Sequence, residues 1–374
     1  MVADDLGYWL GFNLVRGIGP VRLRVLLERF GDIRSAWHAP ADVLRELGLE
    51  RRALTNLLQA RQLVDLSQLE ERVVALGAQA VTWDSPDYPA LLRQIPDAPP
   101  VLFVRGTLLP GDEWAVALVG SRKASPYGRE VAHQLATGLA RNGVTVVSGL
   151  ARGVDAAAHR AALEAGGRTL AVLGSGIDVI YPREHHKLVE QIVENGAIIS
   201  DYPLGAQPEA TNFPPRNRII SGLSLGVVIV EAGIKSGALI TADFAAEQGR
   251  EVFAVPGSIF SSEAAGCNQL LRDGAAIVTE VRDILETLHL DALAEKQAAR
   301  TLLPANAAEA TVLQHLSAEP LHLDDLSRHT ALPVASVSST LVMMELKGMV
   351  RQVAPLQYVI AREPGEAYDI SGES

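Results

Sequence analysis

From residue 115 to residue 255 the chain alternates short, continuously apolar runs with longer amphipathic ones. The apolar runs are Ala115–Val119, Val144–Ser148, Thr169–Leu173, Ala197–Ser200, Gly226–Val230 and Glu251–Val255, with Ala276–Thr279 as a further candidate. Between them lie helical runs at Arg129–Asn142, Asp155–Ala165, Arg183–Glu194, Arg216–Leu223 and Ala238–Gln248. A strand that is apolar at every position must be covered on both faces, which is the signature of a parallel sheet rather than an antiparallel one. The pattern predicts a doubly wound α/β domain over residues 78–290, which binds its ligands at the carboxyl ends of the strands.

Two flanking segments read differently. In residues 1–75, Leu6, Trp9, Leu10 and Leu14 recur at helical spacing, Arg16-Gly17-Ile18-Gly19-Pro20 breaks the pattern, and Val21 to Leu27 resume it. This is the pattern of a helix-hairpin-helix or SAM-like unit, whose glycines let backbone N–H groups face a phosphate; a purely structural helical domain fits the same residues. Residues 291–307 read as a polar, Ala-rich linker. Beyond it, helices at Ala308–Leu316, Asp324–His329 and Val334–Leu346 lead into a hairpin from Lys347 to Ile360. That is a winged-helix pattern over residues 308–362, followed by a tail at 363–374. The third helix has no Arg or Lys before Lys347, which favours protein contact over phosphate contact.

Charge and cysteine content narrow the function classes. The net charge of −11 argues against a protein that coats DNA through bulk positive charge. Yet between residues 120 and 160, Arg122, Lys123, Arg129, Arg141, Arg152 and Arg160 face only Glu130 and Asp155, a local charge of +4. A basic patch on an acidic body suits a specific anion groove. The single cysteine, Cys267, rules out an internal disulfide framework and suits a cytoplasmic location. The acidic start, Met1 to Asp5, lacks a signal peptide's basic region, and no apolar run approaches a membrane span.

Four loops after predicted strands carry the chemistry. Gly120-Ser121-Arg122-Lys123 precedes a helix, whose free N–H groups suit a phosphate. Gly149 and Arg152 belong to Ser148-Gly149-Leu150-Ala151-Arg152-Gly153-Val154-Asp155, where Asp155 can cap the next helix. Phe213-Pro214-Pro215-Arg216-Asn217-Arg218 joins a ring to two guanidinium groups, the parts of a single-strand nucleic-acid site. An ordinary connector with Phe213 tucked into the core would use the same residues. Lys235, Ser236 and Gly237 follow Glu231, which can cap N–H groups or meet a sugar hydroxyl. Several separated cations suit a chain of phosphates better than one mononucleotide.

No G-x-x-x-x-G-K-[ST] loop, H-E-x-x-H or nucleophile elbow is present, and Gly174-Ser175-Gly176 is a lone G-x-G. No catalytic residue, metal or cofactor is expected. The enzymatic alternative is a nucleotide-processing Rossmann enzyme, phosphoribohydrolase-like, with Glu231 in its acidic slot.

These motifs together resemble the DprA/Smf family, DNA-processing protein A. The resemblance is carried by Gly120-Ser121-Arg122, by Ser148 to Asp155 with Ala158-His159, and by Ala171 to Asp178 with Tyr181-Pro182. Further matches are Phe213 to Ser224, Val230-Glu231-Ala232 with Ser236 to Ala242, and Ala254-Val255-Pro256-Gly257. It implies an extended Rossmann-like domain that binds single-stranded DNA and dimerises. It also implies loading of the RecA recombinase onto incoming DNA during natural transformation, past single-strand-binding protein. By position, Ser121 and Arg122 would bind a phosphate and Phe213 would stack on a base. Arg216, Arg218 and Lys235 would line the groove, and Asn217 would read a base edge or hold the loop.

Overall fold

The computed structural model describes residues 5–290, 306–317, 319–346 and 349–361. Residues 291–305 of the expected linker, the expected tail, and Lys347 of the expected hairpin lie outside the described residues; Asn306 and Ala307, expected in the linker, instead cap and open a helix. The chain forms two compact units, 1–291 and 292–374.

The first unit begins with helices α1 (Leu6–Leu14), α2 (Pro20–Phe30), α3 (Ile33–His38), α4 (Ala41–Glu46), α5 (Arg51–Leu63) and α6 (Leu66–Ala75). These helices do not stand apart from the sheet that follows. Trp9, Phe12 and Trp37 share one buried cluster with Phe103, Leu150 and Ile198 of the α/β layer. Each such fully buried side chain contributes about 1.5–3 kcal/mol, so the helical segment and the sheet stabilise one another.

Strands β1 (Ala78–Thr82), β2 (Val101–Gly106), β3 (Ala115–Gly120), β4 (Thr145–Ser148), β5 (Thr169–Val172), β6 (Gly196–Ser200), β7 (Gly226–Glu231), β8 (Glu251–Ala254) and β9 (Ala276–Ile277) form one sheet in the order β1-β2-β6-β5-β4-β3-β7-β8-β9. From β6 to β9 all pairings are parallel, whereas β1 and β2 extend the sheet antiparallel at one edge. The expected parallel core is present, and Ala115 to Val119 are all buried, as both-face coverage requires.

Helices α7 (Ala90–Arg93), α8 (Pro126–Arg141), α9 (Val154–Glu164), α10 (His186–Asn195), α11 (Phe213–Gly222), α12 (Gly237–Glu247), α13 (Ala265–Arg272) and α14 (Val281–Thr287) complete the unit. The chain steps outward from β3 to β6, then returns to lay β7 on the other side of β3. The order therefore reverses between β3 and β7, and open α/β sheets bind ligands at such a point.

The second unit holds α15 (Ala307–His315), α16 (Leu323–Thr330) and α17 (Val334–Leu346), with β10 (Leu321–His322), β11 (Val350–Ala354) and β12 (Gln357–Ile360) in the order β10-β12-β11. Val312, Leu326, Val337, Leu341 and Met344 form its buried core. On α17 the exposed side chains include Val334, Ser336, Ser339, Val342 and Met343, a face without a cation.

Candidate nucleic-acid interface

A cleft of about 730 Å³ opens at the carboxyl ends of β3 and β7, where the strand order reverses. Gly120, Ser121, Arg122, Phe213, Arg216, Asn217, Lys235, Ser236 and Gly237 all line it. Four of the expected residues do not, and each has a physical reason.

The first is Arg218. The stretch from Phe213 is not a loop: α11 starts at Phe213 itself. Pro214 and Pro215 sit in its first turn, where a missing N–H costs nothing and a fixed φ helps. Helical periodicity then places Phe213, Arg216, Asn217 and Ile220 on one face and turns Arg218 about 140° away. Its guanidinium donates to the Asp97 carbonyl at 2.6 Å and to Asp201 Oδ2 at 2.7 Å. It ties the β1–β2 connection to the end of β6.

Arg152 leaves the cleft for Glu184, donating from Nε at 2.6 Å and from Nη2 at 2.7 Å. The pair raises the Arg152 pKa and lowers that of Glu184. Lys123 is exposed outside the cleft, with its backbone N–H held by Ser121 Oγ at 3.1 Å. Gly149 lies beneath Arg216: its carbonyl accepts from Nη1 at 2.8 Å.

Arg216 itself lines the cleft but is buried, and its side chain also donates to the Val172 carbonyl and to Asn217 Oδ1. Buried Asp155 accepts from the N–H groups of Gly149 at 3.2 Å and Ala151 at 3.1 Å. Burial raises the Asp155 pKa, opposed by the nearby Arg216 charge. Burial lowers Arg216 to about 10, opposed mainly by Asp155. Arg216 is thus the ordered floor of the site, joining β4, β5 and α11.

Phe213 is half-buried. The Arg122 guanidinium lies 4.7 Å from its ring centroid and that of Arg216 5.8 Å. Tyr181 packs at 5.9 Å with a 44° tilt. A Cβ on Gly174 would come within 2.9 Å of Phe213 Cδ1, so only glycine lets the ring settle there. Cation–π contacts of this kind are worth about 0.5–1 kcal/mol when exposed. They hold Arg122 in place without neutralising it. Among the described residues neither Arg122 nor Lys235 has an ion pair, and both are exposed.

The N-terminus of α12 also faces the cleft. Ser236 Oγ accepts from the Ala238 N–H at 3.3 Å, and Asn217 Nδ2 donates to the Gly237 carbonyl at 3.3 Å. Asn217 therefore links α11 to α12. Glu231 does not face the cleft. It is buried and accepts from the backbone N–H of Ser125 at 3.0 Å and from the Ser125 hydroxyl, which caps α8.

Some residues that shape the site are given no role by the reading of the four motifs. Tyr181 lines the cleft from the connection after β5. Its sequence cues are its place in the Tyr181-Pro182 pair of the family resemblance and an aromatic near a strand end in a chain with 5% aromatics. Gly153 has φ 76° and lies against the backbone of Ser121 and Arg122, so a side chain there would push the phosphate loop away. His185 is buried, with Nδ1 at 2.9 Å from the Leu150 carbonyl. Among the described residues no His, Cys, Asp and Glu group could hold a metal ion.

His159 supports the site from behind. Thr169 Oγ1 donates to the Val146 carbonyl at 2.7 Å, so it accepts from His159 Nδ1–H at 2.6 Å. Nε2 is left buried without a partner. Burial pushes the ring down to about 3, helped by the charges of His185, Arg216 and Arg160. An unfolded histidine titrates near ~6.5. Below that pH the unfolded chain takes up a proton that the folded chain refuses. Stability is therefore expected to fall on acidification through the window from about 6.5 down to His159's folded value, by up to about 1.4 kcal/mol per pH unit. Urea denaturation across that window should show a shallower slope for His159→Leu than for the wild type. Equal slopes would place the acid sensitivity elsewhere. The comparison isolates this ring from Asp155 and Asp201, whose raised pKa values act in the opposite sense.

The comparisons with known proteins bear on this geometry. Residues 79–289 match the family described as DNA recombination-mediator protein A, and residues 294–354 match the DprA winged helix domain. The chain is similar to Protein Smf of Synechocystis sp., with 36% identity covering 96% of this chain and 99% of that one. It is 46% identical to DNA processing protein DprA of Streptococcus pneumoniae over 53% of this chain and 70% of the relative. The solved structure of the S. pneumoniae protein is similar with a TM-score of 0.66 and 35% identity, covering 75% of this chain and 95% of that one. A Helicobacter pylori DNA processing protein A, described for its single-stranded DNA binding mode, matches with a TM-score of 0.51 and 32% identity, covering 57% and 97%. The chain belongs to the DprA/Smf family of DNA-processing proteins.

Proposed function

We propose that the protein binds single-stranded DNA in the cleft at the β3–β7 reversal, without cleaving it. The observation that carries this reading is the pairing of two exposed cations with no ion pair among the described residues, Arg122 and Lys235, with the half-buried ring of Phe213 in one cleft. Cations for phosphates beside a ring for a base make a sequence-tolerant single-strand site. The acidic surroundings oppose attachment elsewhere. The description of the H. pylori relative supports the ligand class.

In this reading Gly120, Ser121 and Arg122 take one phosphate and Lys235, with Ser236 and Gly237 at the α12 N-terminus, takes another. Arg216 and Asn217 hold the floor. The protein acts in the cytoplasm as a homodimer through its Rossmann-like domain, and loads the RecA recombinase onto DNA during transformation, past single-strand-binding protein. The family description as a recombination mediator supports that role. Among the described residues no helix is long and apolar enough to cross a membrane. The phosphoribohydrolase alternative needs a free acidic group, and Glu231 is committed to the Ser125 cap.

Fluorescence anisotropy of a labelled oligonucleotide across a salt series tests the reading. Tight, salt-sensitive binding is expected, with no shortening of the strand. Phe213→Ala should weaken it by about 1–3 kcal/mol, roughly 5- to 150-fold. Unchanged affinity with a lowered melting temperature would make Phe213 a packing residue. Absence of binding by the wild type would reject the reading.

A further inference from the structure

A second cavity, of about 490 Å³, lies at the ends of β7 and β8. Ser125, Tyr127, Glu231, Pro256, Ser258 and Ser261 are among its lining, and none of its lining residues is a cation. The loop that carries Ser121 and Arg122 into the cleft carries Ser125 into this cavity, and Tyr127 enters it from the first turn of α8. Likewise β7 ends with Glu231 here, and Gly233 and Lys235 follow it into the cleft. Adjacent strands are about 4.8 Å apart, so sites over β3 and β8 are about 10 Å apart. That is within reach of a few nucleotides at ~3.4 Å per residue.

The rim has an unusual tip. The Ser261 N–H donates to the Ser258 carbonyl at 3.0 Å, which closes a β-turn with Ile259 and Phe260 at its corners. Ser258 Oγ accepts from the Phe260 N–H at 3.2 Å and fixes the turn further. Such corners ordinarily hold Gly, Pro, Asn, Asp or Ser. Here Ile259 is 82% and Phe260 93% exposed. Tyr127 is half exposed, with its hydroxyl donating to the Pro256 carbonyl at 3.1 Å. Two rings are thus presented beside a hydroxyl-lined cavity that holds no cation, whose one carboxylate, Glu231, is taken up by Ser125, and that adjoins a cationic cleft.

We infer that this cavity is a second base subsite, in which bases of the strand held by Arg122 and Lys235 stack on Tyr127 and Phe260. The inference rests on the reading of the cleft given above. The lining suits a base: apolar walls and hydroxyls offer stacking and hydrogen bonds, and no lining cation offers a partner to phosphate. Unidentified protein partners fit less well, because the tip borders a cavity continuous with the phosphate loop.

The test uses the full chain and thymine oligonucleotides of about 4 to about 16 nucleotides. Wild-type affinity should rise with length as the strand reaches the second cavity. The double variant Tyr127→Ala, Phe260→Ala should match wild type on the shortest strand and bind the longer ones about tenfold more weakly, a loss of one stacked base. Its salt slope should be unchanged, since no charge is removed. Phe260→Ala alone removes a side chain in water, so a partial loss there cannot be ascribed to unfolding. Equal affinity of variant and wild type at every length, with Arg122→Ala weakening all lengths, would overturn the second subsite and leave the cleft standing. Failure of wild type to bind any length would overturn both.

Discussion

Replacing Arg122 and Lys235 together by alanine is expected to weaken single-strand binding by about 100-fold or more, taking about 1.5–3 kcal/mol for each charge-assisted contact. The same variant should flatten the dependence of log affinity on log salt by about 1.4, because each lost phosphate contact on a single strand removes about 0.7 from the slope. Both predictions follow from exposure. Each side chain lines the cleft, and neither has an ion pair among the described residues. No ion pair among the described residues must be broken to engage a phosphate, and no charge is left orphaned by truncation. The melting temperature should therefore stay near that of wild type. The single variants should differ. Arg122 covers the ring of Phe213 at 4.7 Å, so its removal frees a stacking face while deleting a charge. Both should flatten the salt slope by about 0.7, but Arg122→Ala should lose less affinity than Lys235→Ala at every salt concentration, because the freed ring face offsets part of the lost charge. Anisotropy titrations over a salt series separate the two. A double variant with wild-type affinity and slope would remove the cleft from the binding function.

Arg216→Ala should act on stability instead, at about 3–5 kcal/mol, the cost of leaving a buried charge without its partner. Four groups lose their counterpart. Asp155 keeps its two backbone donors but loses the cation that opposes its desolvation. The carbonyls of Gly149 and Val172 lose the Nη1 donor that they share, and Asn217 Oδ1 loses the Nε donor. Chemical denaturation should show the loss. Adding Asp155→Asn should recover part of it, since the amide cannot be stranded as a charge, and the double-mutant cycle gives the coupling directly. Arg216→Lys should recover only part of the loss: one ammonium can meet the two carbonyls that share Nη1, but it lacks the second donor that Nε–H gives to Asn217 Oδ1. If Arg216→Ala instead kept full stability and lost DNA binding, Arg216 would be a direct phosphate contact.

How far the sequence is legible varies residue by residue. The parallel core is readable because an apolar run such as Ala115 to Val119 has one stable environment, covered on both faces. Loops that end such strands are readable as ligand loops for the same topological reason. The four arginines in those loops look alike in sequence and are used differently. Arg122 covers a ring, Arg152 pairs with Glu184, Arg216 braces a floor and Arg218 pairs with Asp201. The proline pair at Pro214-Pro215 reads as a connector, because proline breaks helices in their interior; in the first turn it starts one.

The sequence by itself determined the class of the fold and the order of the elements of its parallel core, because hydrophobic period and glycine-rich turns act over a few neighbouring residues; its clustered cations point to a polyanionic ligand for the same reason. The tertiary structure alone decided which cations remain available. Asp97 meets Arg218 across 121 positions, Gly149 meets Arg216 across 67, and Glu231 meets Ser125 across 106. Burial makes an unpaired charge or carbonyl expensive, so each buried group takes a partner wherever the fold supplies one. Arg122 and Lys235 stay free for a phosphate because the fold leaves them in water.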